Sequence, residues 1–191
     1  MQFGNLDGLV NGTDNVVFDY ETYNADIYTK CLLHFDGADA ATTTPEVTGK
    51  VVTFVANAQL DTAQKKFGAS SMLFDGTTDS IYLDDSADWV FGSGDFTIDF
   101  WVRFNSVSSV QGFYSQWNTA QLACIWYWDN TDGLMHVGIS ADLSTINGYT
   151  AAWSPSTNTW YHLAFVRNGN SGRIYVDGTA IGSAWDMTGL S

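Results

Sequence analysis

The strongest constraint on the fold is the run Phe96-Thr97-Ile98-Asp99-Phe100-Trp101-Val102-Arg103-Phe104, in which every second residue from Phe96 to Phe104 is apolar. Successive side chains of a strand point to opposite faces, so this period-two pattern describes a strand with one buried face. Asp99, Trp101 and Arg103 share the other face, where a sandwich presents a groove to solvent.

Turn chemistry extends that strand into antiparallel sheets. Trp126-Tyr127-Trp128 leads through Asp129-Asn130-Thr131-Asp132-Gly133 into Leu134-Met135-His136-Val137-Gly138-Ile139, a connection of hairpin length containing glycine. Tyr161 to Arg167 turns at Asn168-Gly169-Asn170-Ser171-Gly172 into Arg173-Ile174-Tyr175-Val176, and Asp177-Gly178 then supplies a tight turn before Thr179-Ala180-Ile181. Short β-branched and aromatic runs separated by Gly, Asn, Asp and Ser continue this pattern from Cys31 onward. Pro45 and Pro155 interrupt no expected strand, and Thr62 to Phe67 is a single candidate helical turn.

The first thirty residues differ in character, being rich in Asn, Asp, Gly and Thr, with one strand-prone run at Asn15-Val16-Val17-Phe18-Asp19-Tyr20. The expected organisation is an extended N-terminal arm over 1–30 and one all-β domain, an antiparallel β-sandwich of jelly-roll type, over 31–191. Val16, Val17, Phe18 and Tyr20 are the residues with which that arm would assemble onto a sheet edge or a neighbouring subunit.

Seven basic residues stand against twenty-one acidic ones, a formal net charge of −14, which opposes approach to nucleic acid or an anionic membrane. No apolar stretch approaches the roughly 20 residues of a membrane-spanning helix, and the N-terminus lacks the pattern of a signal peptide. Cys31 and Cys124 lie in apolar runs and read as buried free thiols.

Four blocks of the sequence resemble the laminin G-like domains of the concanavalin A-like lectin and glucanase superfamily, in the form common in tailed-phage structural proteins and bacterial surface proteins. They are Leu32-Leu33-His34-Phe35-Asp36-Gly37; Phe67 to Gly76 with Asp79 to Leu83; Gly94 to Trp101; and Thr159 to Arg167 with Tyr175-Val176-Asp177-Gly178. The resemblance implies the sandwich fold over about 31–183. It also implies a further C-terminal strand with an Asp-Glu pair, which this chain does not contain, so a fragment of a longer protein or another covering segment is expected. Position in the motif makes Trp101 and Trp160 structural.

The hydrolytic branch of the superfamily needs paired glutamates flanking an aspartate, whereas Glu21 and Glu46 lie outside the core strands, and the three histidines, His34, His136 and His162, each fall within an expected strand. The expectation is a non-enzyme. Calcium is the candidate cofactor, with Asp36 implied by the family and Asp75 and Asp79 offered by an Asp-rich loop; the loops from Asp84 to Asp88 and from Asp129 to Asp132 are further candidates. Sugar rings stack on aromatic faces, which nominates Trp117, Trp126, Trp128 and Trp153 with Asp99 as a polar partner. Function is expected to be a virion structural, decoration or tail-associated protein that oligomerises with other subunits, or alternatively a glycan-binding or adhesion module at a cell surface.

Overall fold

A computed structural model describes residues 25–118, 121–140 and 147–190, so the expected arm residues Val16, Val17, Phe18 and Tyr20 lie outside the described residues. In chain order the strands are β1 (Val52–Val55), β2 (Gln59–Asp61), β3 (Ser71–Leu73), β4 (Ser80–Leu83), β5 (Phe96–Arg103) and β6 (Gln111–Asn118). There follow β7 (Gln121–Asp129), β8 (Leu134–Ile139), β9 (Asn147–Ala152), β10 (Trp160–Asn168), β11 (Ser171–Val176) and β12 (Thr179–Asp186).

Two four-stranded antiparallel sheets carry the core, one in the order β12-β11-β10-β5 and the other β6-β7-β8-β9. Their inner faces follow from register. In the first, Phe100 lies opposite Leu163 and Ile98 opposite Phe165, with Phe165 opposite Ile174 in turn. In the second, Trp126 lies opposite Val137 and Trp128 opposite Met135. Leu163, Phe165, Ile174, Trp126 and Met135 are each 0% exposed. Burial of each such side chain is worth about 1.5–3 kcal/mol, so this aromatic and aliphatic layer is the main source of stability. Trp126 sits at its centre, with ring centroids 5.1 Å from Phe100 and 5.7 Å from Phe113. Its indole N–H has no hydrogen-bond partner among the described residues, a cost of about 1–3 kcal/mol set against that burial.

The sandwich closes along one side, where the Tyr149 hydroxyl in β9 donates to the Ser183 carbonyl in β12. Gly182 makes this approach possible: its φ is +68° and a Cβ would overlap that hydroxyl. Before β5, the paired strands β1-β4 and β2-β3 form two small ladders. Glu46 staples the opening segment to them. Its buried carboxylate accepts from the Leu32 amide at 2.7 Å, the Lys50 amide at 2.9 Å and the Thr48 hydroxyl at 2.8 Å.

All three expected hairpins form, joining β7 to β8, β10 to β11 and β11 to β12, and Asp177 and Gly178 carry φ of 49° and 77° in the tight turn. The turn expected over 168–172 is shorter, because the ladder runs on to Asn168 opposite Ser171. Thr62 to Phe67 forms no helix; side-chain acceptors capture its amides instead, Asp39 taking that of Thr62 and Asp61 that of Ala63. His34 lies beside an isolated bridge rather than in a strand. The thiols are free, with Cys124 buried and Cys31 only partly so. Among the described residues no helix is long and apolar enough to cross a membrane.

Candidate functional site

The outward face of β5 joins that of β10 through register: Trp101 lies opposite His162, Asp99 opposite Ala164 and Arg103 opposite Trp160. Tyr175 of β11 continues the Asp99 and Ala164 row. Because the inward positions are filled by Phe96, Ile98, Phe100 and Val102, the sheet must turn this mixed aromatic and charged row outward.

Trp101 is 38% exposed, with its ring centroid 5.3 Å from that of His162. His162 Nε2 lies 2.9 Å from Asp99 Oδ2, and its backbone amide donates to Asp177 Oδ1 at 2.8 Å. The imidazole is thereby oriented beside the indole, with an exposed carboxylate next to it. A flat ring bordered by a carboxylate and an imidazole is the combination that holds a polyhydroxylated ring: apolar C–H faces meet the ring while hydroxyls meet the polar pair.

The connection between β2 and β3 builds a wall on this platform. Phe67 meets Trp101 edge to face at 5.6 Å and 86°, and the Lys66 ammonium lies 4.2 Å from the Trp101 ring centroid. Two features fix the connection. Asp36 Oδ1 accepts the Ala69 amide at 2.7 Å, and Gly68, with φ +61°, lies where a Cβ would overlap the Asp36 carboxylate. Ser70 adds a buried relay, accepting from the Gly37 amide and donating to the Phe35 carbonyl at 2.7 Å. Asp36 therefore works as a loop anchor, 33 residues from the backbone it holds.

Asp36, Asp75 and Asp79, the expected metal candidates, do not form a three-ligand group among the described residues. Asp75 accepts from Asn57, 3.0 Å away, and from Thr77, and these bonds hold its carboxyl below the usual range. Asp79 accepts the Asn57 and Asp75 amides, both at 2.8 Å. These two carboxylates thus organise their own loop. Among the described residues, the group with ligand atoms close enough for one ion is Asp129, Asp132 and His136, all within 4.8 Å of one another on the β7-β8 hairpin. There His136 Nε2 lies 3.0 Å from Asp132 Oδ2, and the imidazole stacks on Tyr127 at 4.6 Å.

The tryptophans nominated for sugar contact are largely committed elsewhere. Trp126 is 0% and Trp128 6% exposed, so neither offers a ring face. Trp128 donates its indole N–H to the Trp153 carbonyl at 3.0 Å, and Trp153 caps the core against Phe104 and Tyr161. Trp117 lies in β6, opposite Leu122. Asp99 keeps its expected place on the solvent face. Trp101, expected to be structural, is instead the exposed indole among the described tryptophan side chains, and the signal for it is its odd position in the alternation of β5.

The profile of the concanavalin A-like lectin/glucanases superfamily matches residues 75–191, well over half of the chain. Among solved structures, the chain resembles an S-layer domain-containing protein from Clostridium thermocellum, with a TM-score of 0.50 and 20% identity over 80% of this chain and 70% of that one. It also resembles the binding domain of Paraclostridial Mosquitocidal Protein 1, with a TM-score of 0.56 and 16% identity over 74% of this chain and 37% of that one. The chain thus spans little more than a third of the second structure, and identities this low speak to fold. A comparison with curated proteins finds no match. An antiparallel all-β sandwich and a superfamily profile spanning most of its strands agree: the chain belongs to the concanavalin A-like lectin/glucanase superfamily.

Proposed function

We propose that this domain is a non-catalytic recognition module that attaches to a glycan-bearing surface, with a sugar ring stacked on Trp101 and its hydroxyls bonded by Asp99 and His162. One observation carries the reading: a tryptophan ring 38% exposed on an otherwise ordered sheet face, bordered by an oriented carboxylate and imidazole. The likeness to a protein named for its S-layer domain and to a toxin's binding domain supports a role at the cell surface or outside the cell. Assembly into a virion through an N-terminal arm rests on residues 15–20, outside the described residues, so the weight falls on the described face.

Glutamate chemistry gives no support to a hydrolytic alternative. Glu46 is buried and accepts three hydrogen bonds from the segment it staples, which leaves it no access to a substrate. The test is a broad glycan array followed by calorimetry on the hits, with wild type and Trp101→Ala. Loss of an aromatic stacking partner worth about 1–3 kcal/mol weakens binding roughly 5- to 150-fold. An array with no wild-type binding, or a Trp101→Ala variant that binds as wild type, refutes the proposal.

A further inference from the structure

The distribution of positive charge over the chain is uneven in a way that bears on this face. Of the seven basic residues, Lys30 and Lys50 both bridge to Asp88, at 3.5 and 2.8 Å. Arg167 is 2% exposed and surrounded by carbonyls. Two of the others, Lys66 and Arg103, frame Trp101. Lys66 Nζ lies 4.2 Å from the ring centroid. Arg103 follows two positions later on the same side of β5, about 7 Å along the strand.

Among the described residues, the partners of these two cations are neutral. Arg103 donates to the side-chain carbonyl oxygens of Asn105, at 2.5 Å, and Asn158, at 2.6 Å. These amides orient the guanidinium without discharging it, and they leave N–H groups for a further acceptor. The Asp99 carboxylate on this face is engaged by His162. Lys66 contacts the rings of Trp101 and Phe67. A cation resting on an exposed ring is held by only about 0.5–1 kcal/mol, so an arriving carboxylate can draw the ammonium aside and uncover the indole.

We propose that the platform selects acidic sugars: a hexose unit carrying a carboxylate stacks on Trp101 while its acid group is shared by Lys66 and Arg103. This rests on the reading of Trp101 as a sugar platform and adds the charge of the ligand to it. The net charge of −14 does not decide the matter, because charges beyond the Debye length of about 8 Å at physiological salt are largely screened while contacts are not. Placing two cations that no described carboxylate neutralises beside the exposed ring of an acidic chain makes that spot locally attractive to an anion. Arg suits a carboxylate because its planar fork can bond both oxygens.

The experiment measures binding of the full chain to oligogalacturonate and to hyaluronan oligosaccharides, each against its methyl-esterified form, which keeps the backbone and removes the charge. Acid forms are expected to bind about tenfold tighter than their esters. In Lys66→Gln and Arg103→Gln variants, folded by circular dichroism, that ratio falls toward one. Equal affinity for acid and ester, or an unchanged ratio in both variants, overturns the inference. Trp101-dependent binding confined to neutral glycans also overturns it and leaves the platform reading standing. Acid-form binding that persists in Trp101→Ala removes both, since the ligand then lies elsewhere.

Discussion

Arg167 offers the most direct test of how the core is held, because it is a buried cation with no carboxylate partner among the described residues. Its guanidinium donates to the carbonyls of Leu190 at 2.7 Å, Gly169 at 2.9 Å, Gly92 at 3.0 Å and Met187 at 3.3 Å. One side chain thereby ties β10 to the loop before β5 and to the segment after β12, whose Met187 and Leu190 lie in the core. Hydrogen bonds to charged groups contribute about 1.5–3 kcal/mol each, so four set an upper bound of roughly 6–12 kcal/mol. The Met187 bond is long, and water can reach the turn at Gly169 when the side chain is removed. The Leu190 carbonyl and part of the Gly92 bond remain uncompensated, and Arg167→Met should lose about 3–5 kcal/mol. For a domain of this size that lowers Tm by roughly 6–20 °C. Urea unfolding is the assay, since guanidinium copies the group being removed. Arg173→Ala, on the outward face of β11, should stay within about 0.5 kcal/mol. Amide exchange should accelerate at Met187 and Leu190, which bond the Asn170 and Met187 carbonyls. A loss under about 1 kcal/mol, or unchanged exchange at those two amides, would refute the clamp.

Three further outcomes follow from the geometry. Gly68→Ala forces a Cβ against the Asp36 carboxylate at a φ of +61°; a destabilisation of about 1–3 kcal/mol should come with loss of the close contact between Phe67 and Trp101, read from tryptophan fluorescence. Burial pushes the Glu46 pKa up, but bonds from Leu32, Lys50 and Thr48 outweigh it, so the folded value lies below the ordinary 4.5; the resulting stability is present above pH 4.5 and lost as the pH falls through the folded value. Urea stability of wild type over Glu46→Gln should therefore narrow from pH 7 to pH 3.5, and a gap independent of pH would argue against the staple. Burial raises the thiol of Cys31 to about 11 and that of Cys124 to about 12, so an aromatic disulfide reagent at pH 8 should label the folded chain slowly and both thiols at once in denaturant, Cys124 being the slower.

How much of this could be read from the chain alone depended on whether one face of a strand was plainly polar. In β5 the alternation was clean, and it fixed both the buried row from Phe96 to Val102 and the outward row of Asp99, Trp101 and Arg103. The strands β6 and β9 went unassigned for opposite reasons. Register shifts between Gly112 and Tyr114 and between Gln116 and Trp117 break the period in β6. In β9 the inward positions are Tyr149 and Ala151 among Asn, Gly and Thr, too little apolar surface to signal a strand. Cys124-Ile125-Trp126-Tyr127-Trp128 fails differently, because both parities are apolar or aromatic and the sequence cannot say which faces inward. The fold resolves it by setting Cys124, Trp126 and Trp128 against the other sheet.

Trp101 shows which kind of evidence bears on a site. Its place in a family motif argued for structure, while its parity in β5 argued for solvent, and parity gave the face correctly. A motif reports that a position fits the fold; it does not report on which side of the sheet the fit occurs. The rest of the platform had no local signal at all. Lys66 and Phe67 reach Trp101 only because Asp36 holds Ala69 from 33 residues away, a contact closed by the tertiary fold. The carboxylate assigned to a metal by analogy thus acts on the Trp101 face through the loop it anchors, and disabling Asp36 should disturb that face before it disturbs any ion.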